Sequence, residues 1–285
     1  MKHILKVTVA LILFFFMAQF TGLLIINHYL DYTKITETKE IAWQPLPYNL
    51  ERPEVKNQST SFIYITIAIF IGTFLVLMLI KFNKPLIWKL WFFVTVWLTL
   101  SIAFAAFINA FIAGILALII SILKLYKPNV IIQNLSELFI YGGLAAIFVP
   151  IINLFAAVML LIVMSIYDFI AVFKTKHMIK MAAFQSNSKV FAGFLIPYEK
   201  GKISTQYKPI QAPGNKPSRK ASSGQSVAVL GGGDVGFTLI FAGVVMKNLM
   251  LQETVLIGFL KTSIIPLFVS LALLILLLKG QKNKF

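Results

Sequence analysis

The sequence predicts an all-α fold, a polytopic transmembrane bundle of eight helices. Three observations predict it. The chain has 285 residues, of which 59% are hydrophobic and only 13% charged, whereas a soluble domain usually carries about a quarter charged residues. The apolar residues come in blocks without polar faces, and a bilayer core needs about 20 such residues per helix. The net charge of +16 sits in a few loops between the blocks, which suits one surface of a membrane protein better than a nucleic-acid interface. The absence of cysteine excludes a disulfide framework and thiol chemistry.

Taken in order, the first block runs from Ile4 to Ile26. It is long for a secretory signal and lacks a clear small-residue cleavage site, so it reads as a retained helix. A polar stretch, 27–60, follows with Pro45, Pro47 and Pro53. The second block covers Ser61–Ile80 and stops at Lys81–Pro85. A third covers Leu86–Ala105, and a fourth ends at Leu123, with Asn109 the one break between them. The fifth lies near Leu135–Val149, Pro150 marks a tight turn, and the sixth covers Ile151–Phe173. After a polar loop, the seventh covers Ser226–Met246 and the eighth Thr254–Leu278. The chain therefore divides into a six-helix membrane region, 1–173, a loop at 174–225, and a C-terminal membrane region, 226–285. Within the loop, Phe191–Pro197 is apolar enough for a short strand, and Lys174–Gln185 reads as a basic amphipathic segment at the interface.

Lysine placement sets the expected orientation. The 174–225 loop holds ten Lys and Arg with Glu199 as its lone acid, and the tail adds Lys279, Lys282 and Lys284. The 27–60 stretch mixes four basic residues with five acids. The bias places the N-terminus, the 174–225 loop and the C-terminus in the cytoplasm, in a multi-pass protein of the cell membrane.

Most of the ten carboxylates lie in loops or near helix ends, but Asp168 and Asp234 fall inside apolar blocks. Ionising a carboxylate in hydrocarbon is costly, so an intramembrane Asp points to function. The sixth and seventh segments flank one loop, which puts both acids at similar depth, Asp234 about two turns into its helix. Two carboxylates in one site titrate as a pair, giving a base to activate water and an acid to protonate a leaving group. The same pair would serve a cation or proton transporter or leak channel, whose expected signature is inverted repeats with broken helices. No convincing repeat is present. Gly231, Gly232 and Gly233 precede Asp234 directly. Glycines weaken a helix and let another backbone approach, as close helix packing or an unwound substrate would need. Tyr167 adjoins Asp168 and could bond a carboxylate or gate entry. His3, His28 and His177 are scattered and are assigned no metal role.

Tyr167-Asp168, the Gly231-Gly232-Gly233-Asp234 run and the segment Lys174–Ala182 resemble the presenilin and signal peptide peptidase family of GxGD intramembrane aspartyl proteases, in particular its archaeal members. The resemblance covers essentially the whole chain. It implies that Asp168 and Asp234 are catalytic, supported by Tyr167 and the three glycines. It also implies that no cofactor or metal is needed and that substrates are transmembrane segments of other proteins or signal-peptide remnants. The loop before the seventh helix is implied to form a strand that pairs with substrate.

The family pattern also implies nine helices and a Pro-Ala-Leu motif opening the last. No such tripeptide occurs here; Pro266-Leu267 comes nearest, followed by Phe268, inside the eighth block. The expectation is thus a bundle lacking its ninth helix. An active endopeptidase and a non-catalytic homologue both fit that expectation.

Overall fold

The computed structural model describes residues 2–127, 129–188, 190–197 and 227–282. Most of the basic loop, including Lys189, Lys200, Lys202, Lys208, Lys216, Arg219 and Lys220, lies outside the described residues.

Helix α1 spans Lys2–Tyr29, and a short α2, Tyr32–Thr38, follows. Then come α3 (Ser61–Lys81), α4 (Pro85–Ala105), α5 (Ala110–Tyr126), α6 (Val130–Phe148) and α7 (Leu154–Phe169). After α7 the chain forms a π turn at Ile170–Lys174, helix α8 (His177–Asn187) and strand β1 (Gly193–Pro197). Strand β2 (Val227–Gly231) leads directly into α9 (Gly232–Leu249), and α10 (Val255–Lys282) is the last described helix, with Pro266 inside it.

Six of these helices are long and apolar enough to cross a membrane. Two of the eight expected segments fall short. α5 has 17 residues, and α9 has 18 but spends part of its length on Gly232, Gly233, Asp234 and Lys247.

Helices α1, α6 and α9 form the centre, with α10 against α1 and α9, and α4 and α5 on another side of α6. Phe15, Leu23 and Ile26 of α1, Ala145 and Val149 of α6 and its turn, and Leu239 and Met246 of α9 are buried together. Glycine sets the closest approaches. A Cβ on Gly142 would strike Ile25 and Gly22 of α1, and one on Gly143 would overlap the Thr99 carbonyl of α4. The outward faces carry large apolar groups such as Phe74, Leu86, Phe111, Leu256 and Leu276, as a lipid-facing surface requires.

The 30–60 stretch is an ordered cover over one end of the bundle. Arg52 lies between the Tyr29 and Trp43 rings, 5.9 and 5.8 Å from their centroids, and its Nε donates to the Ala146 carbonyl at 3.3 Å. Burial pushes the Tyr32 hydroxyl up to about 12, so at neutral pH it stays a donor, here to Asn27 Oδ1 at 2.6 Å. Helix starts are capped by asparagine. Asn109, Asn129 and Asn153 accept from Phe111, Ile131 and Ala156 N–H. Asn129 also explains a difference from the sequence reading, which began the fifth segment near Leu135. The cap starts α6 at Val130, and the polar residues of its first turns are buried rather than looped out.

A second correction concerns the seventh segment. Residues 227–231 are extended, not helical, and pair antiparallel with β1 from Gly193↔Gly231 to Pro197↔Val227. β-Branched Val227 and Val229 favour strand, and the glycine run resists helix. Asp234 therefore stands in the first turn of α9, not two turns in. The strand expected at Phe191–Pro197 is present as β1.

Candidate active site

Asp168 is the penultimate residue of α7 and is half-buried. The π turn begins two residues later, where Thr175 N–H reaches back to the Ile170 carbonyl at 3.0 Å. Such turns interrupt a helix where function needs a local irregularity. Asp234 is the third residue of α9, within the turn whose free N–H groups favour an anion. Its Oδ2 folds back over Gly231, 3.5 Å from where a Cβ would stand there. α7 packs against α9, and the charge of Asp168 acts on Asp234. Both acids stand at the same end of the bundle, Asp168 in the last turn of α7 and Asp234 in the first turn of α9.

A cavity of about 780 Å³ opens beside Asp234. Asp234 and the three glycines line it, with Trp88 and Phe92 of α4, Tyr141 of α6, and Met178 and Met181 of α8. Asp168 is not among its lining residues. Ala182 and Gln185 of α8 line it as well.

The glycines differ in what they do. A Cβ on Gly232 would lie 2.8 Å from the Tyr141 hydroxyl and 3.4 Å from the Ala192 carbonyl, whereas Gly233 has only Phe237 nearby, at 3.8 Å. Gly232 N–H also donates to Ala192 at 3.3 Å. Close backbone approach therefore requires Gly232 and not its neighbours.

Tyr167 does not bond a carboxylate. Its hydroxyl lies 3.0 Å from Thr73 Oγ1 and 3.0 Å from His177 Nε2, and His177 Nδ1 is 2.6 Å from Thr175 Oγ1. Tyr167 thereby ties α7 to α3 and α8 and holds the segment that follows Asp168. Among the described residues, no group of three or more His, Asp or Glu could hold a metal ion.

Sequence reasoning missed a buried polar cluster on α6. Lys124 Nζ lies 2.5 Å from Glu137 Oε1 and donates to Ser136 Oγ at 2.9 Å. Gln133 Nε2 shares its hydrogens among Glu137 Oε1 at 3.0 Å and the Phe191 and Gly193 carbonyls at 2.9 Å. Asn134 takes both backbone groups of Leu195. The spacing Gln133, Glu137, Tyr141 marks one helix face, a signal legible within an otherwise apolar segment.

This cluster decides which strand edge is open. Leu195 turns its N–H and C=O to Asn134, so its partner Val229 turns its own the other way. Val229 is exposed and lines the cavity, and no third strand pairs with β2 among the described residues. The open edge runs straight into Asp234.

No curated protein and no solved structure matches the chain significantly. The family described as signal-peptide peptidase, presenilin aspartyl protease matches residues 46–284. That match covers most of the chain, including both aspartates, the strand pair and the residues that line the cavity, and the chain belongs to this family of multi-pass membrane aspartyl proteases.

Proposed function

We propose that the chain is an intramembrane aspartyl endopeptidase that hydrolyses peptide bonds within transmembrane segments of membrane proteins or signal-peptide remnants. The observation that carries this reading is the open edge of β2 ending at Asp234, with Asp168 in electrostatic reach. A helical substrate hides its backbone, so it must unwind before attack. An unwound segment that adds to β2 recovers its lost hydrogen bonds and gains register. Its scissile peptide then lies in the cavity beside the acid pair.

The ionised member of the pair takes a proton from water as the oxygen attacks the carbonyl carbon. The protonated member donates to the carbonyl oxygen. Collapse of the diol breaks the C–N bond, and the proton gained from water passes to the departing nitrogen. In this reading Asp168 and Asp234 are the catalytic residues. Gly231, Gly232 and Gly233 give the substrate room, and Tyr167 fixes the end of α7. The loop at 174–225 faces the cytoplasm, from which water enters.

The test is cleavage of a tagged transmembrane peptide by purified protein in lipid, with Asp168→Asn and Asp234→Asn alongside. Cleavage that both substitutions abolish supports the reading. No cleavage by folded wild-type protein across several substrates rejects it.

A further inference from the structure

We propose that Tyr141 is a substrate-contacting residue, its hydroxyl donating a hydrogen bond to the carbonyl of the substrate peptide unit that lies against Gly232, with Glu137 acting through it as a positioning residue. The proposal rests on the peptidase reading above and adds a group to its site.

Tyr141 is 5% exposed and Glu137 1% exposed. Burial this deep normally comes with hydrogen bonds, because an unpaired polar atom there is costly. Yet among the described residues the Tyr141 hydroxyl and Glu137 Oε2 have no partner beyond each other. They stand one helical turn apart on the same face of α6, and the Glu137 carboxylate is the acceptor beside the Tyr141 hydroxyl. Both line the cavity that Asp234 lines.

The surroundings fix what each can do. Glu137 Oε1 is taken by Lys124 and Gln133, and Lys124 Nζ also lies 5.7 Å from the Phe92 ring centroid. With Oε1 occupied by these two donors, Oε2 is left to face the hydroxyl. The Tyr141 ring is held against Phe194 of β1, with centroids 6.0 Å apart. Its oxygen comes 2.8 Å from where a Cβ on Gly232 would stand, and it feels the charge of Asp234. The hydroxyl is therefore aimed at the backbone step between the strand and Asp234. An unwound peptide unit placed there presents a carbonyl that has lost its helical partner, and the cavity is otherwise mostly apolar. The hydroxyl supplies the missing donor. Glu137 Oε2, the acceptor beside the hydroxyl, sets its position.

The test is Tyr141→Phe in the full chain, reconstituted in lipid. Two readouts are taken with one labelled transmembrane peptide: kcat/KM on the active background and Kd on the Asp234→Asn background. Thermal unfolding is followed in parallel. Losing one such hydrogen bond should lower kcat/KM about tenfold and weaken Kd by a similar factor, while Tm changes little. An unchanged Kd, or a lowered Tm with unchanged kcat/KM, overturns the proposal and leaves Tyr141 a packing residue. Absence of cleavage by wild type with a Kd still sensitive to Tyr141→Phe would reject the peptidase chemistry and keep the contact. Absence of peptide binding would overturn both.

Discussion

Asn134 of α6 and Leu195 of β1 form a reciprocal pair. Asn134 Nδ2 donates to the Leu195 carbonyl at 2.8 Å, and Asn134 Oδ1 accepts from Leu195 N–H at 2.9 Å. A side-chain amide thus occupies the place of a neighbouring strand and closes one edge of the sheet. Replacing Asn134 with Leu leaves two buried backbone groups unpaired, at about 1–3 kcal/mol each. The expected result is a lower melting temperature and faster amide exchange in β1. Asn134→Gln should not rescue it, because the longer side chain misplaces both atoms.

Gly232 and Gly233 should separate cleanly. Gly232→Ala puts a methyl 2.8 Å from the Tyr141 oxygen, so the strand-to-helix junction must shift, and stability and peptide cleavage should both fall. Gly233→Ala meets nothing closer than Phe237 at 3.8 Å. It should leave the melting temperature unchanged or raise it by up to about 1 kcal/mol of added stability, because alanine favours helix. Parallel melts of the two variants decide this.

Lys124 and Glu137 are an ion pair with side chains 3% and 1% exposed. Removing one charge strands the other, at about 3–5 kcal/mol, whereas removing both can be far milder. Lys124→Met alone should therefore destabilise more than Lys124→Met combined with Glu137→Leu. A double-mutant cycle of unfolding in lipid measures the difference, and equal losses would mean the charges are not paired.

Orientation is open to a direct chemical test because the chain has no cysteine. Thr38 and Lys176 are both exposed and lie at opposite ends of the bundle. In intact cells a membrane-impermeant maleimide should label Thr38→Cys and spare Lys176→Cys, with both labelled after lysis. The reverse pattern would invert the proposed topology.

Much of this architecture was legible in the amino-acid order because it rests on one-dimensional properties. Block hydrophobicity marks α3 and α4 nearly to the residue and α7 and α10 to within four residues, and Asp168 and Asp234 stand out as acids in apolar surroundings. The strand β1 was legible as a short apolar run in a basic loop. The start of α9 was not, because Val227–Gly231 is as hydrophobic as the helix that follows and only pairing with β1 makes it extended. The partners of Gln133, Asn134 and Glu137 were hidden for a related reason. Gln133 and Asn134 fell before the fifth segment and Glu137 inside it, while their partners, Lys124 and the backbone of residues 191–195, come from other elements. Tyr167 showed its position beside Asp168 but not its hydroxyl's partners, which come from α3 and α8.

At the opposite end of α9 from Asp234, Lys247 is 2% exposed, and its Nζ donates to the Val149 carbonyl at 3.0 Å and the Ile152 carbonyl at 2.5 Å. Those carbonyls belong to the turn from which α7 departs. At 1.5 Å per residue, this fastening stands about 20 Å along the helix from Asp234. The two acid-bearing helices are built as a pair of tweezers riveted at the far tip. For a swing about that rivet, about 3° of rotation changes the gap between the carboxylates by about 1 Å. Loosening the rivet with Lys247→Met would let α9 slide as well as swing, a fault felt at the jaws though no atom there has been altered.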